Sequence, residues 1–388
     1  MSGLRIRALA RIADISAAAW DACAGSDNPF LRHAFLDALE QSGCVAPRQG
    51  WQPTHLLAEN AAGDLLGAMP LYFKGHSQGE YIFDQGWANA YERAGGAYYP
   101  KLLCAVPFTP VTGPRLLVRP GEDATALRNA LLQGALGLVQ RHGLSSLHIN
   151  FVTEAEKQWG EAAGLLHRLG EQFHWRNEGY ADFDGFLAAL ASRKRKAIKR
   201  ERREAVAAGI EIECVSGTTL TAEHWDAFYE FYIDTGSRKW GQPYLNRDFF
   251  HRLHATMAEQ VILVLARRDG RWIAGAWNML GGDTLYGRNW GCIEQHPFLH
   301  FECCYYQAID YAIRHGLKRV EAGAQGEHKL ARGYLPSPIH SLHHLPDPAF
   351  HRAVDAYLRE ERAHMQGLIA ALDEHSPFRQ TDATPESE

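Results

Sequence analysis

Apolar and polar positions follow two different rhythms along the chain, and the change from one to the other predicts its elements. The clearest run of signals covers residues 275–336. An apolar stretch, 275–280, is followed by Gly281-Gly282-Asp283 and then by a second β-rich stretch, 284–292. A Gly/Asp cluster supplies the positive φ angles of a tight reversal, so the two stretches are expected to pair as a hairpin. Phe301, Cys304, Tyr305, Ala308, Ile309 and Ala312 then return at three- and four-residue spacing, which places them on one face of a helix ended by Gly316. A short strand over 318–322 leads into the polar stretch 323–329, which has no apolar period and is expected to be loop. Hairpin, helix, strand and polar loop make a place where a cleft can form.

Upstream, the same reading gives a strand at 4–9 and two helices before residue 50, the second entered at Asn28-Pro29, then β-rich sequence from Trp51 to residue 83. Residues 84–114 are crowded with aromatic residues and prolines, so they are expected to form a long structured loop, either functional or a cover for the core. A helix carrying Leu127, Leu131, Leu138 and Val139 stops at Gly143, and a strand follows over 147–151. Next come a linking strand at 172–176, a short helix at 184–190, and a strongly basic helix capped by Ser192 and closed by Gly209. A strand at 210–215, two helices, a strand at 261–266 and a helix at 350–372 with Ala353, Ala356 and Tyr357 on its packed side complete the pattern.

The pattern also repeats. Arg141-His142-Gly143-Leu144 recurs as Arg314-His315-Gly316-Leu317, each time between an amphipathic helix and a strand. The hairpin letters Leu57-Ala58 and Gly67-Ala68 correspond to Leu265-Ala266 and Gly275-Ala276. Two ordered matches in the same context predict a duplicated unit. The expected organisation is an α/β chain with an N-terminal domain over 1–175, a C-terminal domain over 176–376 that holds the active site, and a disordered tail over 377–388.

Length changes this picture little, since 388 residues already favour two domains. No apolar run approaches the roughly 20 residues of a membrane helix, and the N-terminus is too polar for a secretory signal, which points to the cytoplasm. Seven cysteines without CxxC pairs fit a reduced compartment better than a disulfide framework or a zinc cage. His340, His343, His344 and His351 read as a surface segment, and no metal is expected. A net charge of −5 gives no global reason for nucleic acid, but the basic helix is an exception. Its Ala197, Ile198, Ala205 and Ala208 share one side while Arg195, Lys196, Lys199, Arg200, Arg202 and Arg203 cover the other, and Arg193, Lys196, Lys199, Arg200 and Arg203 are candidates for an anionic partner, with a solvated face as the alternative.

No serine-hydrolase elbow, P-loop, dinucleotide fingerprint or zincin motif is present. The surviving constellation is Arg288 and Trp290 near a strand end, His300 and Glu302 at the helix entrance, and Gln325, Glu327, His328, Lys329 and Arg332 in the loop after the next strand. Strand ends and following loops are where polar groups converge on ligands. Glu327 and His328 are candidate bases, and Lys329 with Arg332 a candidate clamp for phosphate or carboxylate. The alternative is a set of exposed salt bridges. The aromatic and proline-rich segment adds Trp87, Tyr91, Tyr99, Lys101 and Thr109 as substrate-binding candidates.

Several motifs carry a resemblance: Asn28-Pro29-Phe30-Leu31, Pro70-Leu71-Tyr72 with Gly79-Glu80-Tyr81, Tyr98-Tyr99-Pro100-Lys101, Val106-Pro107-Phe108-Thr109-Pro110-Val111-Thr112-Gly113-Pro114-Arg115, Ser192-Arg193-Lys194-Arg195-Lys196, and Gly323 to Lys329. Together they resemble a bacterial family of FemAB-like predicted N-acyltransferases, related to the Fem peptidyltransferases and often labelled as peptidoglycan biosynthesis. The resemblance implies tandem GNAT-like domains, each a mixed sheet flanked by helices. It implies transfer of an acyl or aminoacyl group from acyl-CoA or aminoacyl-tRNA to a small-molecule or peptide amine, with tRNA as a candidate partner. One departure stands out: simple GNAT enzymes place a glycine-rich pyrophosphate turn before the central helix, and here residues 295–300 contain no glycine. The donor is therefore open, and the rival reading is a non-catalytic RNA-binding or scaffold protein.

Overall fold

A computed structural model describes residues 3–239, 243–323 and 326–379. Its strands are β1 (Arg5–Leu9), β2 (Trp51–Pro53), β3 (His55–Glu59), β4 (Leu65–Met69), β5 (Leu71–Lys74), β6 (Lys101–Cys104), β7 (Leu117–Val118), β8 (Leu147–Val152), β9 (Leu166–Arg176), β10 (Glu211–Val215), β11 (Val261–Arg268), β12 (Arg271–Gly281), β13 (Thr284–Cys292), β14 (Arg319–Glu321) and β15 (Leu335–His344). Four of them form a small sheet in the order β1-β3-β4-β7. The other eleven form one sheet, β10-β11-β12-β13-β14-β9-β15-β8-β6-β5-β2. Pro70 separates β4 from β5, and there the chain passes from the small sheet to the large one. Proline has no N–H to give to a ladder, so it suits such a break. The run Val261 to Ala266 is apolar at every position because both faces of β11 are covered, with Leu263 and Leu265 in one cluster and Val264 and Ala266 in another.

The duplication is visible in the backbone. The helix Ala124–His142 ends at Gly143 (φ 60°), and the helix Gln307–Arg314 runs out at Gly316 (φ 65°). After each glycine a leucine amide reaches back five residues, Leu144 N–H to the Val139 carbonyl (3.0 Å) and Leu317 N–H to the Ala312 carbonyl (2.8 Å), and both leucines are buried. Glycine takes the left-handed angle without a Cβ penalty, and the apolar residue after it seals the helix end. β6 and β8 run parallel for three pairs, Leu102↔Leu147 to Cys104↔Ile149, and so do β13 and β14, Thr284↔Arg319 to Tyr286↔Glu321. Two residues beyond each pairing the chain turns through positive φ, at Phe151 (58°) and Gly323 (77°). Both hairpins also carry an irregularity directly after the matching alanine, Ala58 or Ala266. The architecture is thus α/β with tandem GNAT-like units.

The halves are interleaved. β15 lies between β9 and β8, and Phe30 and Phe35 from the first half pack edge-on against Tyr286 (5.4 Å) and Phe249 (5.7 Å) from the second. Several local expectations change as a result. Of the histidine-rich segment, His340, His343 and His344 lie in a central strand, with His343 1% exposed, and His351 lies on the helix Pro348–Glu374. Residues 84–114 contain the helix Gln85–Arg93 and β6, so only 105–116 runs as long irregular chain up to β7. The C-terminal helix Pro348–Glu374 packs through Phe350, Val354 and Leu358, while Ala353, Ala356 and Tyr357 face outward. The basic helix Ser192–Ala205 has Ala191 at its cap position, with no side-chain cap bond from Ser192. Of the expected tail, Phe378 bridges Leu190 and the Pro377 carbonyl accepts from Ala191 N–H (2.9 Å); residues 380–388 lie outside the described residues. Among the described residues no helix is long and apolar enough to cross a membrane.

Candidate active site

β13 and β14 part after the pair Tyr286↔Glu321, and the local sequence explains how. The β12–β13 ladder shifts register between Trp277 and Asn278, so that Trp277 faces Asn289, Asn278 faces Gly287, and Arg288 is bulged out. At Gly287 a Cβ would lie 3.2 Å from the Glu321 carbonyl, a crowded contact that glycine avoids where the strands approach before they separate. The gap is a cavity of about 80 Å³ lined by Arg288, Asn289, Trp290, His300, Tyr305 and Ala322, among others. Its helical wall is irregular: a π-helical turn, Glu302–Tyr306, is set between the α turns Leu299–Phe301 and Gln307–Arg314. Such insertions are frequent at functional sites.

Several of the residues expected in the second half meet here. Trp290 packs edge-on against His300 (5.3 Å), and His300 against Tyr305 (5.4 Å), whose hydroxyl is 2.8 Å from His328 Nε2. Burial, with Arg332 and Lys329 adding to it, lowers the His328 pKa, which keeps the imidazole neutral at pH 7. Lys329 is 1% exposed and donates to the Gly323 carbonyl (2.8 Å); burial brings its pKa down to about 8. Arg332 donates to the His328 carbonyl (2.7 Å) and to Glu201 (2.9 and 3.1 Å), and its guanidinium lies 3.5 Å from the centre of the Phe301 ring. Glu302 is turned away from the gap, buried in an ion pair with Arg202 (3.0 Å) and bonded to Gln307 (2.8 Å). Glu327 opens the turn Glu327–Arg332, and Gln325 lies outside the described residues.

The opposite face holds the expected Arg288 and one acid that the sequence reading missed, Glu321. Arg288 is half-buried; its guanidinium donates to the Phe108 carbonyl and to Thr109 Oγ1 (3.3 Å), lies over Phe30 (5.2 Å), and leaves a buried Nε without a partner. Burial brings its pKa down to about 10. Glu321 is 3% exposed, 3.4 Å from Arg319 and 3.9 Å from His174, and its Oε2 has no hydrogen-bond partner. Burial raises its pKa to about 7 against the pull of Arg319 and Arg288. Asn289 Oδ1 is likewise buried and unpartnered. An acid set between the apolar Val320 and Ala322 was the one available signal for this residue.

The first-half candidates form a separate group. Trp87 and Tyr91 line a cleft of about 780 Å³ between the helices Gln85–Arg93 and Pro348–Glu374. Lys101 is fully buried, bonded to Ser77 (2.8 Å), Glu80 (2.8 Å) and Asp84. Asp84 accepts from the Tyr98 hydroxyl (2.7 Å), and the Tyr99 hydroxyl bonds Ser77 (2.8 Å). Burial opposes the charge on Lys101, but Glu80 and Asp84 outweigh it and raise its pKa. Thr109 is buried against Arg288.

The basic helix flanks the second-half site. Ile198, Glu201 and Ala205 form its buried side, where Glu201 pairs with Arg332, and Ala208 is exposed. Arg193, Lys196, Lys199, Arg200 and Arg203 all face solvent, with Lys199 paired to Asp184 (2.9 Å) and Arg200 to Glu204 (3.7 Å). A pocket of about 280 Å³ lined by Arg193, Lys194, Glu201 and Arg332 lies between this helix and the turn Glu327–Arg332. Among the described residues no cluster of His, Cys, Asp and Glu could hold a metal ion.

The two tandem units of mixed sheet and helix, each with parallel strands that part, give the chain a GNAT-like α/β fold. The chain belongs to the FemAB-like family, described as peptidoglycan biosynthesis/recognition, whose sequence profile matches residues 11–380. Among solved structures it is similar to FemX, at 14% identity over 88% of this chain and 98% of that one with a TM-score of 0.53. It is also similar to the C-terminal domain (DUF2156) of a putative lysylphosphatidylglycerol synthetase from Agrobacterium fabrum, at 10% identity over 88% and 95% with a TM-score of 0.52. A tandem GNAT protein from the clavulanic acid biosynthesis pathway matches at 14% identity over 89% and 99%, with a TM-score of 0.45. No curated protein matches the sequence.

Proposed function

We propose that the chain transfers an acyl or aminoacyl group from an activated donor, acyl-CoA or aminoacyl-tRNA, to the amine of a small molecule or peptide, and that the chemistry takes place between β13 and β14 in the second half, residues 176–376. The observation that carries this reading is the parting of these two strands beside three buried polar atoms without partners, Arg288 Nε, Asn289 Oδ1 and Glu321 Oε2. Buried polar atoms are paired in the great majority of cases, so a cluster of exceptions marks groups held for a ligand or for ordered water. Attack of an amine on an acyl carbonyl needs a proton acceptor and donors for the developing oxyanion. His328, neutral and tethered to Tyr305, can take the proton directly or through water, as can Glu321; Glu327 is the remaining candidate. Lys329 or Arg288 can meet the carbonyl oxygen or a phosphate. The exposed cations of the basic helix suit an anionic donor, and equally suit the second reading, RNA binding without turnover.

Incubating the protein with acetyl-CoA or with aminoacyl-tRNA plus a panel of amines, and following donor loss, tests both readings. His328→Ala is expected to lower turnover roughly 100- to 10,000-fold with the fold intact, the usual weight of a general base. Lys329→Ala is expected to act mainly on KM. Turnover unchanged in both His328→Ala and Glu327→Gln leaves positioning alone as the mechanism, and salt-dependent RNA binding without donor loss favours the second reading.

A further inference from the structure

The duplication gives the chain two places where parallel strands part, yet they are not alike. Beyond Tyr286↔Glu321 the gap is open. Beyond Cys104↔Ile149 residues 105–116 fill it. Gly113 N–H donates to the Phe151 carbonyl (3.0 Å), at the residue that corresponds to Gly323 in the second copy. Arg115, 0% exposed, directs its guanidinium to four main-chain carbonyls: Asn150 (2.7 Å), Val111 (2.6 Å), Gly113 (3.1 Å) and Pro114 (3.2 Å). Glu156 accepts the Arg115 and Leu116 amides (2.7 and 2.8 Å) and locks the segment from outside. Backbone polar groups in a buried loop must be satisfied, and this arginine does for the loop what a ladder does for a strand.

The other side of the same loop faces the second copy. The Phe108 carbonyl and Thr109 Oγ1 accept from Arg288, and the Phe108 ring stacks on Tyr244 (4.8 Å). Asn28 Nδ2 donates to the Thr112 carbonyl (3.4 Å), while Phe30 lies under the Arg288 guanidinium. Two of the sequence motifs from the first half therefore converge on one arginine of the second.

We infer that residues 105–116 are a built-in plug: they occupy the first copy's own cleft, so that the chain has one ligand site, and they seat Arg288 in the wall of the remaining one. Thr109 is then a positioning residue, acting through Arg288. The second statement rests on the acyl-transfer reading; the first does not. A half-buried guanidinium whose buried Nε is idle is suited to an acidic group of the ligand, because a buried donor left unpaired is otherwise costly.

The test is equilibrium titration of the full chain with coenzyme A and, separately, with alanyl-tRNA. A ligand is expected to bind at one equivalent per chain, and Ala322→Leu, which fills the open gap, to abolish binding. Thr109→Val is expected to weaken binding about 3- to 10-fold, the effect of one ordinary hydrogen bond, with Thr109→Ser restoring it. Two equivalents, a site that survives Ala322→Leu, or unaltered affinity in Thr109→Val overturns the inference. If neither probe binds the wild type, acyl transfer from these donors fails as a reading, and hydrogen exchange decides the plug. Amides 105–116 are expected to be protected, and Thr109→Val to speed exchange at 287–290 while 261–268 stay as in wild type. Fast exchange throughout 105–116, or no change at 287–290, overturns it.

Discussion

Arg115→Ala would leave four carbonyls without this donor, three of them in buried bonds worth about 1–3 kcal/mol each if water does not replace it. A loss of about 3–5 kcal/mol is expected in urea unfolding, in line with breaking other buried charged networks, and Arg115→Lys should recover little of it, since one ammonium does not span four acceptors. Glu321 gives a different signature. Its folded pKa, about 7, lies above the unfolded value near 4.5, so the folded state holds the extra proton between those limits. Stability linked to this group is therefore fully present below pH 4.5 and declines as pH rises to 7. Glu321→Gln should remove that decline, gaining up to about 3 kcal/mol over wild type above pH 7, and a parallel pH dependence in the two proteins would sink the assignment.

At the scale of elements, the basic helix combines a packed side with a cationic one, and the sequence told them apart by helical period alone. It missed the inward turn of Glu201 to Arg332 and of Arg202 to Glu302, because both partners come from distant segments. Arg193, Lys196 and Arg203 are the cleanest probes, since Lys199 and Arg200 already have acidic partners. If the helix holds a polyanion, replacing these three by Gln should flatten the slope of log K against log salt by about 2 to 3, with unfolding unchanged. An unaltered slope would make the helix an ordinary solvated face. Local periodicity also found the β12–β13 hairpin, the helix that ends at Gly316 and the repeat itself, all features set by neighbours in sequence. It did not find the plug, whose bonds run to Phe151 and Asn150, or β15, whose partners lie on the far side of the chain. The site residues divided the same way: Trp290, His300, His328 and Lys329 follow one another along adjoining elements and were legible, whereas the seat of Arg288 depends on residues 108 and 109, about 180 positions upstream.

For the whole molecule, the eleven-stranded sheet makes the halves interdependent. β15 pairs with β9 over nine residues and with β8 on its other side. Removing the second half would leave the edges of β8 and β9 bare, and long bare edges invite association. Residues 1–175 expressed alone are expected to aggregate, and the full chain to unfold in a single transition by circular dichroism and tryptophan fluorescence alike. Two resolved transitions, or a soluble folded fragment, would contradict this.

The position of β15 also sets an order of events during synthesis. His148 and His343, whose Nδ1 atoms meet at 2.7 Å in the finished sheet, leave the ribosome 195 residues apart. At roughly 5–20 residues per second, the first half waits on the order of ten seconds or more with a slot open between two of its strands. A nascent chain in that state presents the kind of surface that holding chaperones recognise.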